Sequence, residues 1–192
     1  MKIDLSQVKL TTERLHLRHW QKSDVQDYYD YASVPGVGEA AGWYHHTDIN
    51  HTKRLIDQLI RRKSSIAIVY RENNKLIGSL SLHNSEYSSA TISRRERGLD
   101  VGYSLSKDYW GQGLVPEALR TFIDYLFIDM DLDYIMARVL PTNNRSIRVL
   151  EKCGFIHDGE MKQASLEGIF VDYNVYILDV STWYSLRKED SN

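Results

Sequence analysis

The sequence predicts a mixed α/β domain, and three observations predict it. Runs with apolar residues at alternate positions are interleaved along the chain with runs spaced at three and four. One such alternation is sharp. Leu99-Asp100-Val101-Gly102-Tyr103-Ser104-Leu105 reads as a strand and Tyr109-Trp110-Gly111-Gln112-Gly113 as a glycine turn. Leu114, Val115, Ala118, Leu119, Phe122, Ile123, Leu126 and Phe127 then form one apolar helix face. Finally, 192 residues suit one compact domain with a real core, so 1–192 is expected to be a single domain.

The elements follow in order. Lys9 to Trp20 reads as one strand, Leu15 and Leu17 alternating with Arg14, His16 and Arg18. Ser23 or Asp24 is expected to cap a helix running through Ser33, which Pro35-Gly36-Val37-Gly38 breaks. Asp48 caps a second helix through Arg62, with Leu55, Ile56, Leu59 and Ile60 on its buried side. Ser65–Tyr70 and Leu76–Leu82 form a hairpin around Asn73-Asn74. Asn84 to Arg97, with four serines and the cluster Arg94-Arg95-Glu96-Arg97, reads as a long surface connection. After the strand–turn–helix come a strand at 133–140, a short helix at 143–152, and strands at 155–162 and 168–180. Trp183 to Arg187 is expected to be a short tail.

The glycine turn is where ligand chemistry is expected. The first turn of a helix leaves N–H groups without helical acceptors, and the macrodipole adds partial positive charge. Such an end binds phosphate without a lysine. The turn is not a P-loop, because no Gly-Lys-Ser/Thr follows, and it lacks Gly-x-Gly-x-x-Gly.

Composition excludes other classes. A formal charge of -2 gives no basic surface for nucleic acid. No apolar run spans a membrane and the N-terminus lacks a signal-peptide core, so a cytoplasmic location is expected with no membrane partner. The single Cys153 excludes an internal disulfide and is read as a packed residue. No His, Cys or Glu spacing resembles a metal site, so no metal is expected. His45-His46 is read as a pair of surface loop groups, with lining a ligand groove as the alternative.

Tyr109 to Ala118 resembles the acyl-CoA loop of the GCN5-related N-acetyltransferase (GNAT) family, in the branch that includes the bacterial ribosomal-protein N-terminal acetyltransferases. Further blocks stand in family order: Thr12-Glu13-Arg14-Leu15-His16-Leu17-Arg18, Asp100-Val101-Gly102-Tyr103, Asn143 to Phe155, and Gly159 to Ala164. The resemblance implies a GNAT fold. That is a central twisted, mostly antiparallel mixed sheet of about seven strands, with helices on both faces and a splay at the central strands. It also implies acetyl transfer from acetyl-CoA to a primary amine by direct attack in a ternary complex.

The family pattern, Arg/Gln-x-x-Gly-x-Gly/Ala, falls on this chain with Trp110 in place of its first residue, Gly113 in the middle and Val115 last. The resemblance thereby assigns cofactor binding to Trp110 and to the main chain of Gly111, Gln112, Gly113, Leu114 and Val115. It assigns the pantetheine arm and thioester to backbone at the end of the central strand, here Ser104 and Leu105 beside Tyr103. Asn143 would hold the pantetheine arm or cap its helix. Ser146, near the same helix face, would donate to the departing thiolate, a role many relatives give to a tyrosine where this chain has Leu150.

Only a neutral amine attacks, so a general base is useful. Asp100 stands where many relatives carry a glutamate and is the candidate base; the alternative is a hydrogen-bonded strand carboxylate. Ribosomal-protein enzymes of this branch carry a glutamate just after Met-Lys-Gln-Ala, where this chain has Ser165. Glu167 is displaced from that position by roughly 7 Å along an extended segment. A protein or peptide N-terminus is the leading acceptor, and a polyamine, amino acid or aminoglycoside the alternative. A catalytically weak acyl-CoA sensor is the reading from another class. Oligomeric state, a homodimer included, and acyl-chain preference are left open.

Overall fold

The computed structural model describes residues 1–84, 87, 92, 97–164 and 168–189. Most of the connection between Asn84 and Arg97, with Arg94, Arg95 and Glu96, lies outside the described residues, as do Ser165 and Glu167. The chain divides into two compact units, Met1–Leu82 with Gly102–Ala118, and His83–Val101 with Leu119–Asn192.

The first unit begins with two strands, β1 (Lys9–Thr11) and β2 (Leu15–Arg18). The sequence suggested one continuous strand here. The correction lies at Thr12, whose hydroxyl accepts the Leu15 N–H at 2.9 Å and closes a tight turn, so that Lys9 pairs antiparallel with Arg18. A 3-10 turn at Lys22–Asp24 leads into α1 (Val25–Ala32). Asp24 is not a side-chain cap, contrary to expectation; its carboxylate takes Arg18 Nη1 and Nη2 at 2.8 and 2.7 Å and the Gln21 N–H at 2.8 Å. A short α2 (Val37–Ala40) follows Gly36. Helix α3 (Ile49–Arg62) starts as the sequence predicts, Asp48 accepting the N–H groups of Asn50 and His51 at 3.0 and 3.2 Å. Strands β3 (Ser65–Tyr70) and β4 (Lys75–Asn84) form the expected hairpin.

The core of this unit is aromatic. Trp20, Tyr28 and Tyr31 pack with Val37, Ile56, Ala67, Val69 and Leu76, and Leu55, Leu59, Ile60 and Trp110 lie against them. Trp20 satisfies its buried indole by donating to Ser65 Oγ at 3.0 Å.

Strand β5 (Gly98–Leu105) and helix α4 (Leu114–Ile128) each begin in one unit and end in the other. The second unit adds β6 (Tyr134–Val139), α5 (Asn144–Lys152), β7 (Ile156–Ala164), β8 (Phe170–Asp179) and α6 (Val180–Glu189). The short tail expected at Trp183 to Arg187 instead lies within this ten-residue helix, with Trp183 buried and its indole donating to Asp124 Oδ1 at 2.9 Å. Tyr134, Met136, Val175 and Ile177 form a core cluster here.

Among the described residues, eight strands form a mixed sheet in the order β1-β2-β3-β4-β5-β6-β8-β7, with the helices flanking it. β5 and β6 run parallel, as strands joined through a helix do, while β1–β2, β2–β3, β3–β4, β6–β8 and β7–β8 are antiparallel. The β5–β6 register runs only from Gly98↔Tyr134 to Asp100↔Met136, although β5 continues to Leu105 and β6 to Val139. Among the described residues, no helix is long and apolar enough to cross a membrane.

Candidate active site

In the first unit, β5 runs into a 3-10 turn (Lys107–Tyr109), the glycine turn and the start of α4. Gly111 and Gly113 both have left-handed φ, 77° and 75°, which glycine adopts without strain. Gly111, Gln112 and Gly113 are exposed, whereas Leu114 and Val115 are buried. The apolar side chains thus turn inward and the main chain of the turn faces solvent. Pro116 sits in the first helical turn, where a missing N–H removes no helix bond. The first helical bond runs from the Glu117 N–H to the Gly113 carbonyl at 3.2 Å.

The end of β5 is held from two sides. Trp110 Nε1 donates to the Leu105 carbonyl at 3.0 Å, and the Ser106 N–H donates to Ile77 of β4 at 2.7 Å. A Cβ on Gly78 would lie 2.4 Å from the Ser104 carbonyl oxygen, so the two backbones approach more closely than any other residue permits. Ser104 itself is buried, with its hydroxyl 3.1 Å from Ser79 Oγ and 3.4 Å from the Tyr31 hydroxyl. Burial pushes the Tyr31 phenol up to about 12, against the pull of Ser104 and Ser79.

The same unit brings Arg14 to the turn. Its Nε donates to Glu117 Oε2 at 2.7 Å, Nη2 lies 2.6 Å from the same oxygen, and Nη1 donates to the Gln112 carbonyl at 3.0 Å. The Arg14 N–H and the Thr12 hydroxyl both donate to Glu117 Oε1. Burial raises the Glu117 carboxyl, but the bonds from Thr12 and Arg14 and the guanidinium charge outweigh it and leave it below its usual range. The Gln112 side chain turns back to the Asp108 carbonyl at 3.1 Å.

In the second unit, Asp100 is buried and its Oδ2 takes both Arg138 Nε, at 2.6 Å, and Arg138 Nη2. Arg138 Nη1 also donates to Gln163 Oε1. Burial raises the Asp100 carboxyl above its usual range, with Arg138 and His83 pulling the other way. Asn143 is the N-cap of α5, its Oδ1 accepting the Ser146 N–H at 3.2 Å, so these two residues are brought together as the spacing predicts. Cys153 is buried at the end of α5, and burial pushes its thiol up to about 11, which makes it a poor nucleophile.

One of the two adjacent histidines departs from expectation. His46 is not a surface group: it is 3% exposed, its Nδ1 is 2.9 Å from Thr52 Oγ1, and it meets Tyr28 and Trp43 edge-on or tilted. His45 Nδ1 lies 2.7 Å from Glu39 Oε1, the same carboxylate that takes the Gly36 N–H through its other oxygen at 2.6 Å.

Residues 14–156 match the family described as the Acetyltransferase (GNAT) domain. The chain belongs to the GNAT acetyltransferase family. As a GNAT enzyme it is an acetyl-CoA-dependent N-acetyltransferase. It is 27% identical to the N-acetyltransferase p20 of Bacillus licheniformis over 175 residues, 88% of this chain and 94% of that one. It is 33% identical over 84 residues to the [Ribosomal protein uS5]-alanine N-acetyltransferase of Escherichia coli, 43% of each chain. In fold it resembles a GNAT-family acetyltransferase from Bacillus anthracis, at TM-score 0.77 and 21% identity, over 90% of this chain and 98% of that one. It also resembles the aminoglycoside enzyme AAC(6')-Ib solved with ribostamycin and coenzyme A, at TM-score 0.68 and 17% identity, over 90% and 97% of the two chains.

Sequence reasoning missed several residues around the GNAT turn. In the sequence Arg14 reads as a polar strand residue within a family-like block, and its partner Glu117 lies 103 residues further on. The available signal was Glu117 itself, an acid in a helix first turn directly after a phosphate-type loop. Tyr31 and Ser79 around Ser104 carried no signal beyond Tyr31 standing three residues after Tyr28 on a buried helix face. Among the described residues, no group of three or more His, Cys, Asp or Glu side chains is placed to hold a metal ion.

Proposed function

We propose that residues 1–192 act as one acetyltransferase domain that moves acetyl from acetyl-CoA to a protein or peptide N-terminus by direct amine attack. The observation that carries the coenzyme half is the exposed, left-handed glycine turn leading straight into α4. Main-chain donors of Gly111 to Val115 hold the diphosphate, favoured by the helix dipole. Trp110 braces the strand end through its indole N–H on the Leu105 carbonyl, beside the turn where the coenzyme is held. Ser104 and Leu105 serve the pantetheine arm through main chain. The three-pair β5–β6 ladder, shorter than either strand, supports that use of β5 backbone. Asn143 sets the start of α5, and Ser146 donates to the thiolate as it leaves.

Asp100 is the proposed base, with its carboxyl raised by burial. Arg138 is part of that proposal, because it holds Oδ2 and thereby fixes the orientation of the carboxylate. The acceptor class rests on the likeness to the uS5-alanine enzyme.

The test is thiol release from acetyl-CoA over a panel of acceptors: peptides with free N-termini, spermidine, free amino acids and an aminoglycoside. Turnover of peptides well above the small amines is expected. A preference for a small amine overturns the acceptor class. Tight coenzyme binding with no release on any amine overturns the catalytic assignments.

A further inference from the structure

We propose that Arg14 is a positioning residue for the coenzyme: it sets the orientation of the peptide between Gln112 and Gly113 and cancels the charge of Glu117 beside the bound diphosphate. The inference rests on the reading of the glycine turn as the diphosphate site. A trans peptide is planar, so the Gln112 carbonyl and the Gly113 N–H point in opposite directions. Arg14 Nη1 holds that carbonyl at 3.0 Å. The Gly113 N–H is thereby aimed away from Arg14, on the side left open for an anion.

The clamp matters because of where it acts. The peptide it holds ends on Gly113, and Gly111 stands just before it, both glycines with left-handed φ. Glycine-flanked main chain has the widest choice of conformations in the free protein. Ordering it before the coenzyme arrives removes that cost from binding. Arg14 is itself held rigidly by Nε and Nη2 on Glu117 Oε2, and its own N–H anchors the other oxygen. The guanidinium runs alongside the turn, Nη2 lying 3.8 Å from a Cβ built on Gly113.

Charge adds a second effect. Glu117 is the acid of the α4 first turn, where a helix end attracts anions. An uncompensated carboxylate there repels a diphosphate. Arg14 neutralises it, and the side chain must be a fork to do so while also reaching Gln112. A lysine ammonium is a single point of charge and satisfies one partner at a time.

The experiment measures affinity for CoA and for pantetheine, which lacks the diphosphate, by isothermal titration. Arg14→Ala is expected to weaken CoA by about tenfold or more, the loss of a charge-assisted bond, and to leave pantetheine unchanged. Adding Glu117→Gln to Arg14→Ala is expected to recover part of the CoA affinity by removing the unpaired charge. Arg14→Lys is expected to fall between wild type and Arg14→Ala, and it carries the test if the alanine variant does not fold. Wild-type CoA affinity in Arg14→Lys then overturns the inference. So does wild-type CoA affinity in Arg14→Ala, or an equal loss for both ligands. If the wild-type protein itself binds CoA no more tightly than pantetheine, the diphosphate reading of the turn has failed first.

Discussion

Ser146 enters α5 with its main-chain N–H on Asn143 Oδ1, a bond that survives truncation of the side chain. Ser146→Ala is therefore expected to leave thermal stability within about 0.5 kcal/mol while lowering kcat by tenfold to about a hundredfold, if its hydroxyl serves the leaving thiolate. Unchanged kcat at saturating acetyl-CoA removes the role. His46 carries the pH dependence. Burial, then the charges of His51 and His45, hold its pKa at about 4 against an ordinary 6.5. The unfolded chain takes a proton near 6.5 and the folded chain only near 4, so the stability tied to neutral His46 is complete above pH 6.5 and is lost as pH falls toward 4. The loss is on the order of 2 kcal/mol. Urea midpoints between pH 7 and pH 4.5 check this, and His46→Asn is expected to flatten the slope. A slope identical to wild type assigns the acid sensitivity elsewhere.

At the scale of elements, the end of β5 depends on a glycine in a different strand. A Cβ at position 78 meets the Ser104 carbonyl oxygen at 2.4 Å and Leu105 Cα at 3.2 Å, both main chain and neither free to swing away. Gly78→Ala is expected to cost about 1–3 kcal/mol and to weaken acetyl-CoA binding together with stability, because it displaces the backbone proposed to meet the pantetheine arm. Normal melting and normal affinity would show that the strand end accommodates the methyl. The strands and helices themselves were largely legible. Asp48 capping α3 and the apolar face of α4 follow from spacing within about four turns. Lys9 to Trp20 reads as one strand because Arg14 to Arg18 alternate cleanly, but the polar run Thr11-Thr12-Glu13-Arg14 breaks that alternation at the turn, where the Thr12 hydroxyl accepts the Leu15 N–H.

For the molecule as a whole, a GNAT enzyme that binds acetyl-CoA in its folded state must be stabilised by it. At a hundredfold excess over Kd the gain is about 2.7 kcal/mol, enough for a clear rise in Tm by scanning calorimetry. Acetyl-CoA is expected to raise Tm and free acetate is not. No rise at millimolar acetyl-CoA would contradict a native-state coenzyme site.

Short stretches carried most of the strands and helices, the glycine turn before α4, the Asn143–Ser146 pairing and the blocks behind the family resemblance, while the split of the first strand, α2 and α6 were not legible there. Periodicity reports which face of an element is apolar, and capping and turn residues act within a few positions, so these signals survive without coordinates. The tertiary structure alone decided which distant groups meet. Arg14 and Thr12 close on Glu117, Asp100 is buried against Arg138, and His46 is sealed among Tyr28, Trp43 and Thr52. Each pairing joins residues whose types suit many partners, and only packing brings one partner within hydrogen-bond range and removes the water that would have served instead.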